Sequence, residues 1–216
     1  MSIRKKPFVP KEYYHIYNRG NSKQKIFHDE EDYRHFVNLL FISNSEKNFK
    51  LIWIDNNVYN FNRGIQLVGI GSYCLMPNHF HLLITQTEEG SVSKFMQKLS
   101  TAYSMYYNKK YDRTGALFEG KFKSEHAHND NYLRYLFSYI HLNIMKLINK
   151  NWKEEGIKNK QQALNFLDTY KYSSYLDYTG VIRKENAILN KEMFPNYFPS
   201  VKSFKQDIFD WLKISL

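Results

Sequence analysis

Tyr73-Cys74-Leu75-Met76-Pro77-Asn78-His79-Phe80-His81-Leu82-Leu83-Ile84 reads as two strands joined by a tight Pro-Asn connection. Successive side chains on a strand point to opposite faces, so His79 and His81 share one face while Phe80 turns to the other. Two neutral imidazoles side by side form half of a site for a divalent metal. The plain alternative is a pair of polar residues on the wet face of an amphipathic strand.

The flanking chain supplies the partners that such a hairpin needs. Tyr13-Tyr14-His15-Ile16-Tyr17-Asn18-Arg19 reads as a first strand, rich in aromatic and β-branched residues and closed by Gly20-Asn21. Asp29 is a cap for a helix expected over 30–41, with Tyr33, Phe36, Val37, Leu40 and Phe41 at helical spacing. Residues 49–54 and 66–76 read as strands, with turn signals at Asp55-Asn56-Asn57 and Arg63-Gly64 between them. After the histidine strand, Ser91 or Ser93 caps a helix to about Tyr111; its stripe is Val92, Phe95, Met96, Leu99 and Ala102, followed by Tyr103, Tyr106 and Tyr107. Residues 117–125 are extended or looped, and Asn129 or Asp130 caps a second long helix through about Ile148. Residues 150–162 are charged and expected to face solvent, and short helices and aromatic loops follow. The order β-α-β-β-α-β predicts an α+β fold: a ferredoxin-like antiparallel sheet with helices packed on one face, plus a C-terminal helical extension. A small mixed sheet of another strand order is the alternative.

Composition narrows the class. A chain of 216 residues is long enough to bury a core as one domain, or as one domain with an extension. Hydrophobic residues make up 43% and charged residues 24%, the balance of a soluble globular protein. No stretch approaches the roughly 18 consecutive apolar residues of a membrane span, so no membrane partner is expected. The basic start is not followed by an apolar stretch, and Cys74 is the single cysteine; a cytoplasmic location without disulfides is expected. Lys and Arg number 31 against 21 Asp and Glu, a net charge of +10, and 18 Tyr and 16 Phe accompany them. A basic surface attracts phosphate backbones and aromatic faces stack on exposed bases, although an anionic membrane or acidic partner also suits the charge.

Several segments in order carry a family likeness: 73–84, then Ser100-Thr101-Ala102-Tyr103-Ser104-Met105-Tyr106-Tyr107-Asn108, then Arg113-Thr114-Gly115-Ala116-Leu117-Phe118-Glu119-Gly120-Lys121-Phe122-Lys123-Ser124. Tyr139-Ile140-His141-Leu142-Asn143 and Tyr172-Ser173-Ser174-Tyr175 follow, and residues 14–21 open the series. Together they resemble the REP-associated tyrosine transposases, a branch of the single-tyrosine HUH nucleases, over roughly residues 13–180. The resemblance implies a catalytic unit at 1–148 with an extension at 149–216 packed on it. It implies a metal-dependent single-stranded DNA endonuclease and strand transferase, working on single-stranded or hairpin DNA as a monomer or homodimer. The intermediate would be a 5′-phosphotyrosine, which conserves the phosphodiester energy and leaves a free 3′-OH for rejoining.

In that scheme His79 and His81 hold Mg2+ or Mn2+ against the scissile phosphate. The nucleophile is a tyrosine on the helix that follows the histidine strand. Tyr103, Tyr107 and Tyr111 lie four apart on one helical face with Tyr106 close by, and spacing alone does not choose among them. Alignment with the family's nucleophile helix selects Tyr103 as catalytic. Some relatives supply a Gln one turn past the nucleophile; here that position is Tyr107, which leaves Asn108 as the nearest amide for a third ligand. Arg19, Arg113, Lys121 and Lys123 are the candidate DNA-binding cations. His15 is read as packing, His126 and His128 as loop residues, and His141 as part of a helix interface. Ile144 stands where relatives carry Pro, so the last helix is expected to continue, and residues 48–65 look like an added hairpin. Two rival readings are a non-cleaving hairpin-binding protein on the same scaffold and a hydrolase that uses activated water.

Overall fold

Alternating side chains on four strands divide the protein into two cores. The computed structural model describes residues 7–50, 58–157 and 159–214. β1 (Tyr13–Arg19), β2 (Val68–Met76), β3 (His79–Gln86) and β4 (Lys123–His126) form one sheet in the order β2-β3-β1-β4. Every neighbouring pair is antiparallel, the ferredoxin-like arrangement expected from the element order. Central β3 pairs Leu83 with His15, His81 with Tyr17 and His79 with Arg19 on one side, and His81 with Cys74 on the other. Directly paired residues share a face, so His15, Tyr17, His79, His81 and Cys74 look one way while Ile16, Phe80 and Leu82 look the other.

The Phe80 face is covered by α1 (Glu30–Ser43) and α2 (Ser91–Lys110). The Asp29 carboxylate caps α1 by accepting the Asp32 N–H at 3.0 Å, and acids at Glu30, Glu31 and Asp32 suit the positive end of the helix. Val92, Phe95, Met96, Leu99 and Tyr103 form the buried stripe of α2, and the Phe36 ring lies 5.0 Å from Phe80 and 4.9 Å from Tyr103. Gly90, in a left-handed conformation at φ 78°, precedes α2 in place of the serine cap expected from the sequence.

The opposite face carries α3 (Asp130–Leu142), capped by Asn129, whose side chain accepts the Tyr132 N–H at 2.8 Å. Leu133, Phe137 and Ile140 pack with Cys74, Met76 and Leu83. The extension joins the same core through α4 (Trp152–Glu155), α5 (Lys160–Thr169), α6 (Tyr175–Tyr178) and α7 (Val201–Ile214), with Trp152, Leu167, Tyr175 and Phe204 buried. Helices therefore cover both faces of the sheet rather than one. At the edge of the sheet, β2 bulges at Gly71, where a Cβ would stand 2.8 Å from the Phe194 ring; the missing side chain lets that ring seal the edge.

Several boundaries differ from the sequence reading. The strand expected over 49–54 falls mostly outside the described residues, as does much of the added hairpin expected over 48–65; 49 and 50 are not strand, and Val58–Asn60 is a 3-10 turn. Residues 150–162 are not wholly solvent-facing, because Trp152 and Ile157 are buried. Despite Ile144, α3 stops at Leu142 and tightens into a 3-10 turn over Asn143–Leu147. The cause is local: the Asn143 side-chain amide donates to the Tyr139 carbonyl at 3.3 Å and its backbone N–H to Ile140, while Ile144 and Met145 are drawn fully into the core. No described helix is long and apolar enough to cross a membrane.

Because the extension shares its core with α3 and the sheet, the protein should unfold as one unit. Phe204, packed 5.3 Å from His141 and 5.0 Å from Tyr178, tests this. Phe204→Ala should cost about 3–5 kcal/mol in a single urea transition. A two-step melt with the sheet unaffected would contradict the shared core.

Candidate active site

The α3-covered face gathers four imidazole and phenol rings at its centre. Neighbouring strands bring the His15 and His81 rings to 5.0 Å with an interplanar angle of 22°, and His15 Nε2 lies 2.8 Å from His81 Nδ1. The His79 ring stands edge-on to His81 at 5.0 Å. From α3, the Tyr139 ring reaches to 5.9 Å from His81 and 5.7 Å from His15. Asn143 follows one turn later, so its backbone lies on the same side of the helix end as Tyr139.

Hydrogen-bond bookkeeping assigns the tautomers. Asn78 donates its amide N–H to the Lys23 carbonyl at 3.2 Å, so its Oδ1, 2.6 Å from His79 Nδ1, must accept from a protonated Nδ1. His79 Nε2 is then a bare lone pair. Glu125 Oε2 stands 3.8 Å from His15 Nδ1 and favours the proton there. His15 Nε2 therefore accepts from His81 Nδ1–H, and His81 Nε2 is left bare. His81 Nε2 is buried without a hydrogen-bond partner, and so is Asn143 Oδ1. Buried polar atoms are nearly always satisfied, and an imidazole nitrogen and an amide oxygen left free are donors that could hold a cation. The donor set is two imidazole nitrogens and an amide oxygen; among the described residues no three His, Cys, Asp or Glu side chains gather as a metal group.

Electrostatics keep these rings neutral, as metal ligands must be. Burial is the first cause in all three histidines. It pushes His79 down to about 4, helped by the positive charges of Lys146 and Arg19. It pushes His15 down to about 4 against the opposing pull of Glu125. His81 is driven well below the ordinary histidine value, with His15 and His79 adding to the effect.

The structure separates Tyr103 from this face. Its ring is fully buried on the far side of the sheet, 5.4 Å from Phe27 and 4.9 Å from Phe36, and its hydroxyl donates to the Ile26 carbonyl. Burial, with Asp32 next, raises that phenol far above its usual range. Tyr103 is a core residue, and the expectation that it meets the histidines is corrected. Asn108 lies on the same helix, where its amide donates to the Gly115 carbonyl at 3.0 Å, so it too is on the wrong face for a third ligand. Arg113 sits over the Tyr107 ring at 5.4 Å, again on the α2 side. Arg19, opposite His79 in register, does reach the edge of the site, although Glu119 holds its guanidinium in a two-pronged pair. Lys123 pairs in register with Tyr17 on the site face and is exposed, as is Lys121 just before it.

Four residues that the sequence reading did not use therefore belong to this face: His15, Tyr139, Asn143 and Lys146. A signal was present. An amide stands one turn after Tyr139, at Asn143, whereas the residue one turn after Tyr103 is Tyr107.

Residues 62–143 match the family model described as Transposase IS200 like. That segment contains β2, β3, α2, β4 and α3, with His79, His81, Tyr139 and Asn143 among its residues. No curated protein matches the chain. Among solved structures, the chain is similar to one described as a REP-associated tyrosine transposase bound to a REP hairpin. The identity is 12% and the TM-score 0.54, over 86% of this chain and 90% of that one, a likeness of fold.

The buried histidines set a pH dependence. Below about pH 6.5 the unfolded chain takes up protons on its histidines, whereas the folded chain keeps His15 and His79 neutral until about 4. Stability present above that range is therefore lost as pH falls through it. A urea midpoint followed from pH 7 to pH 4 should decline, and His81→Gln should make the decline shallower; an unchanged slope in that variant would contradict the assignment.

Proposed function

We propose that the protein, whose residues 62–143 match the IS200-like transposase family model, is a metal-dependent single-stranded DNA endonuclease and strand transferase. Its substrate is hairpin-forming DNA, and its intermediate is a 5′-phosphotyrosine on Tyr139. One observation carries the reading: the Tyr139 ring lies within 6 Å of both His81 and His15, on the face where His81 Nε2 and Asn143 Oδ1 are buried and unpaired. The hairpin seen with the fold neighbour supports the choice of DNA, as do the net charge of +10 and the exposed Lys121 and Lys123 beside the site.

Each side chain then has a task. His79 and His81 offer bare Nε2 lone pairs that, with the Asn143 carbonyl oxygen, would hold Mg2+ or Mn2+. A cation bound there supplies Lewis-acid polarisation of the non-bridging phosphate oxygens. His15, backed by Glu125, holds His81 in the required tautomer. The Tyr139 hydroxyl loses its proton and its oxygen attacks phosphorus in line. The new Oη–P bond replaces the P–O3′ bond, and the departing 3′-oxygen takes a proton to become a 3′-OH. Attack by another 3′-OH reverses the step and releases Tyr139, so strands are joined without a nucleotide cofactor. Arg19, Lys121 and Lys123 contact phosphates rather than bases. All of these residues come from one chain, which supports a monomer carrying a full catalytic set, acting on DNA in the cytoplasm.

Two tyrosine variants test the reading with a 3′-fluorescent hairpin oligonucleotide, Mn2+ and denaturing gels. Tyr139→Phe should abolish the covalent adduct while leaving hairpin affinity intact. Tyr103→Phe should keep the adduct and lose about 1–3 kcal/mol of stability, because the buried Ile26 carbonyl loses its donor. EDTA should stop adduct formation. An adduct that survives in Tyr139→Phe or in EDTA would contradict the assignment, and hairpin binding without any adduct from the unaltered protein would favour a non-cleaving role.

A further inference from the structure

The extension sends one cation into the candidate site. α4 is anchored by the buried Trp152 ring, and the next residue, Lys153, lays its ammonium 4.1 Å from the centroid of the Tyr139 ring. Lys153 is half-buried, and its proton affinity is reduced first by desolvation and then by Lys146, against a smaller opposing pull from Glu154. A lysine that only decorates a surface keeps its head in water. Here the ammonium gives up hydration to stand over the face of one phenol, an arrangement that a leucine or methionine would fill at less cost if packing were its purpose.

We infer that Lys153 is a positioning residue for strand cleavage: it clamps the Tyr139 ring and stabilises the negative charge that the phenolic oxygen gains as its proton leaves. The inference rests on the reading of Tyr139 as nucleophile. A cation partly shielded from water acts on a nearby anion more strongly than one in bulk solvent. The phenolic proton leaves to solvent, Oη bonds to phosphorus, the P–O3′ bond breaks and the 3′-oxygen is protonated; Lys153 keeps its own proton throughout. In rejoining, the same ammonium faces the phenolate as it departs. The other titratable groups around Tyr139 are His15 and Tyr17 on β1, His81 on β3, and Tyr132 and Tyr135 on α3, with Glu125 one step behind them. Lys146 adds a second positive charge on this face, acting on His79, His81 and Lys153; Lys153 is the cation whose ammonium stands over the Tyr139 ring, and burial holds the two histidines neutral.

The test compares Lys153→Met, Lys153→Gln and Lys153→Arg, measuring the rate of adduct formation and the salt dependence of hairpin affinity. The two neutral variants should form adduct roughly tenfold more slowly, with affinity and salt slope unchanged. Arginine should restore most of the rate, a rescue that a purely packing role would not give. Unchanged rates in both neutral variants would overturn the inference. So would a loss of affinity with a weaker salt slope, which would make Lys153 a phosphate contact. Failure of the underlying reading has a separate signature, an adduct that persists in Tyr139→Phe.

Discussion

The hydrogen bond between His15 and His81, 2.8 Å long and buried between adjacent strands, is the constraint on which the site depends. It exists because β1 and β3 pair in a register that sets Tyr17 against His81 and His15 against Leu83. A slip of one residue between the two strands would put the two imidazoles on opposite faces of the sheet. With the register fixed, one ring must give the bond and the other accept it. The carboxylate of Glu125 on β4, 3.8 Å behind His15, decides the direction. The outcome is a neutral His81 with its Nε2 aimed away from the bond and without a protein partner, the state in which an imidazole binds a cation. Three strands thus cooperate to prepare one nitrogen.

The two helical layers have different work. α1 and α2 fill the Phe80 face with an aromatic core that includes Tyr103 and Tyr107. α3 and the extension cover the histidine face and carry the other residues of the proposed site: Tyr139 and Asn143 at the end of α3, Lys146 in the turn that follows, and Lys153 on α4. The end of α3 is where these roles meet. Asn143 uses its amide N–H to close the last turn and thereby leaves its carbonyl oxygen unpaired. The extension is therefore part of the site's architecture as well as its cover, since Trp152 seats the turn that delivers Lys153.

Much of the fold was legible because it is written in local periodicity. The alternation at 79–84 announced a strand with two histidines on one face, and the β-α-β-β-α-β order announced the antiparallel sheet. What the sequence did not disclose depends on contacts between distant segments. His15 looked like packing because its partnership with His81 requires the β1–β3 register, which no short window contains. The stripe Val92, Phe95, Met96, Leu99 runs on to Tyr103 at the same helical spacing, so the periodicity itself assigned Tyr103 to the core. Family likeness drew attention to its tyrosine instead. The motif Tyr139-Ile140-His141-Leu142-Asn143 was visible as a marker of family, yet its chemistry emerges only once α3 is laid across the histidine face. Ile144 in place of proline gave no hint that the helix stops there, because burial of Ile144 and Met145 and the Asn143 bond override the propensity.

The most direct test is to find where the DNA is attached. Trypsin cuts the chain after Lys98, Lys109, Arg134 and Lys146, which isolates Tyr103 in residues 99–109 and Tyr139 in residues 135–146. Mass spectrometry of the nuclease-trimmed covalent complex should find a nucleotide 5′-phosphate on the 135–146 peptide, fragmenting to Tyr139. The same mass increment on the 99–109 peptide would mean that the chemistry lies on the other side of the sheet and that this account has the wrong face.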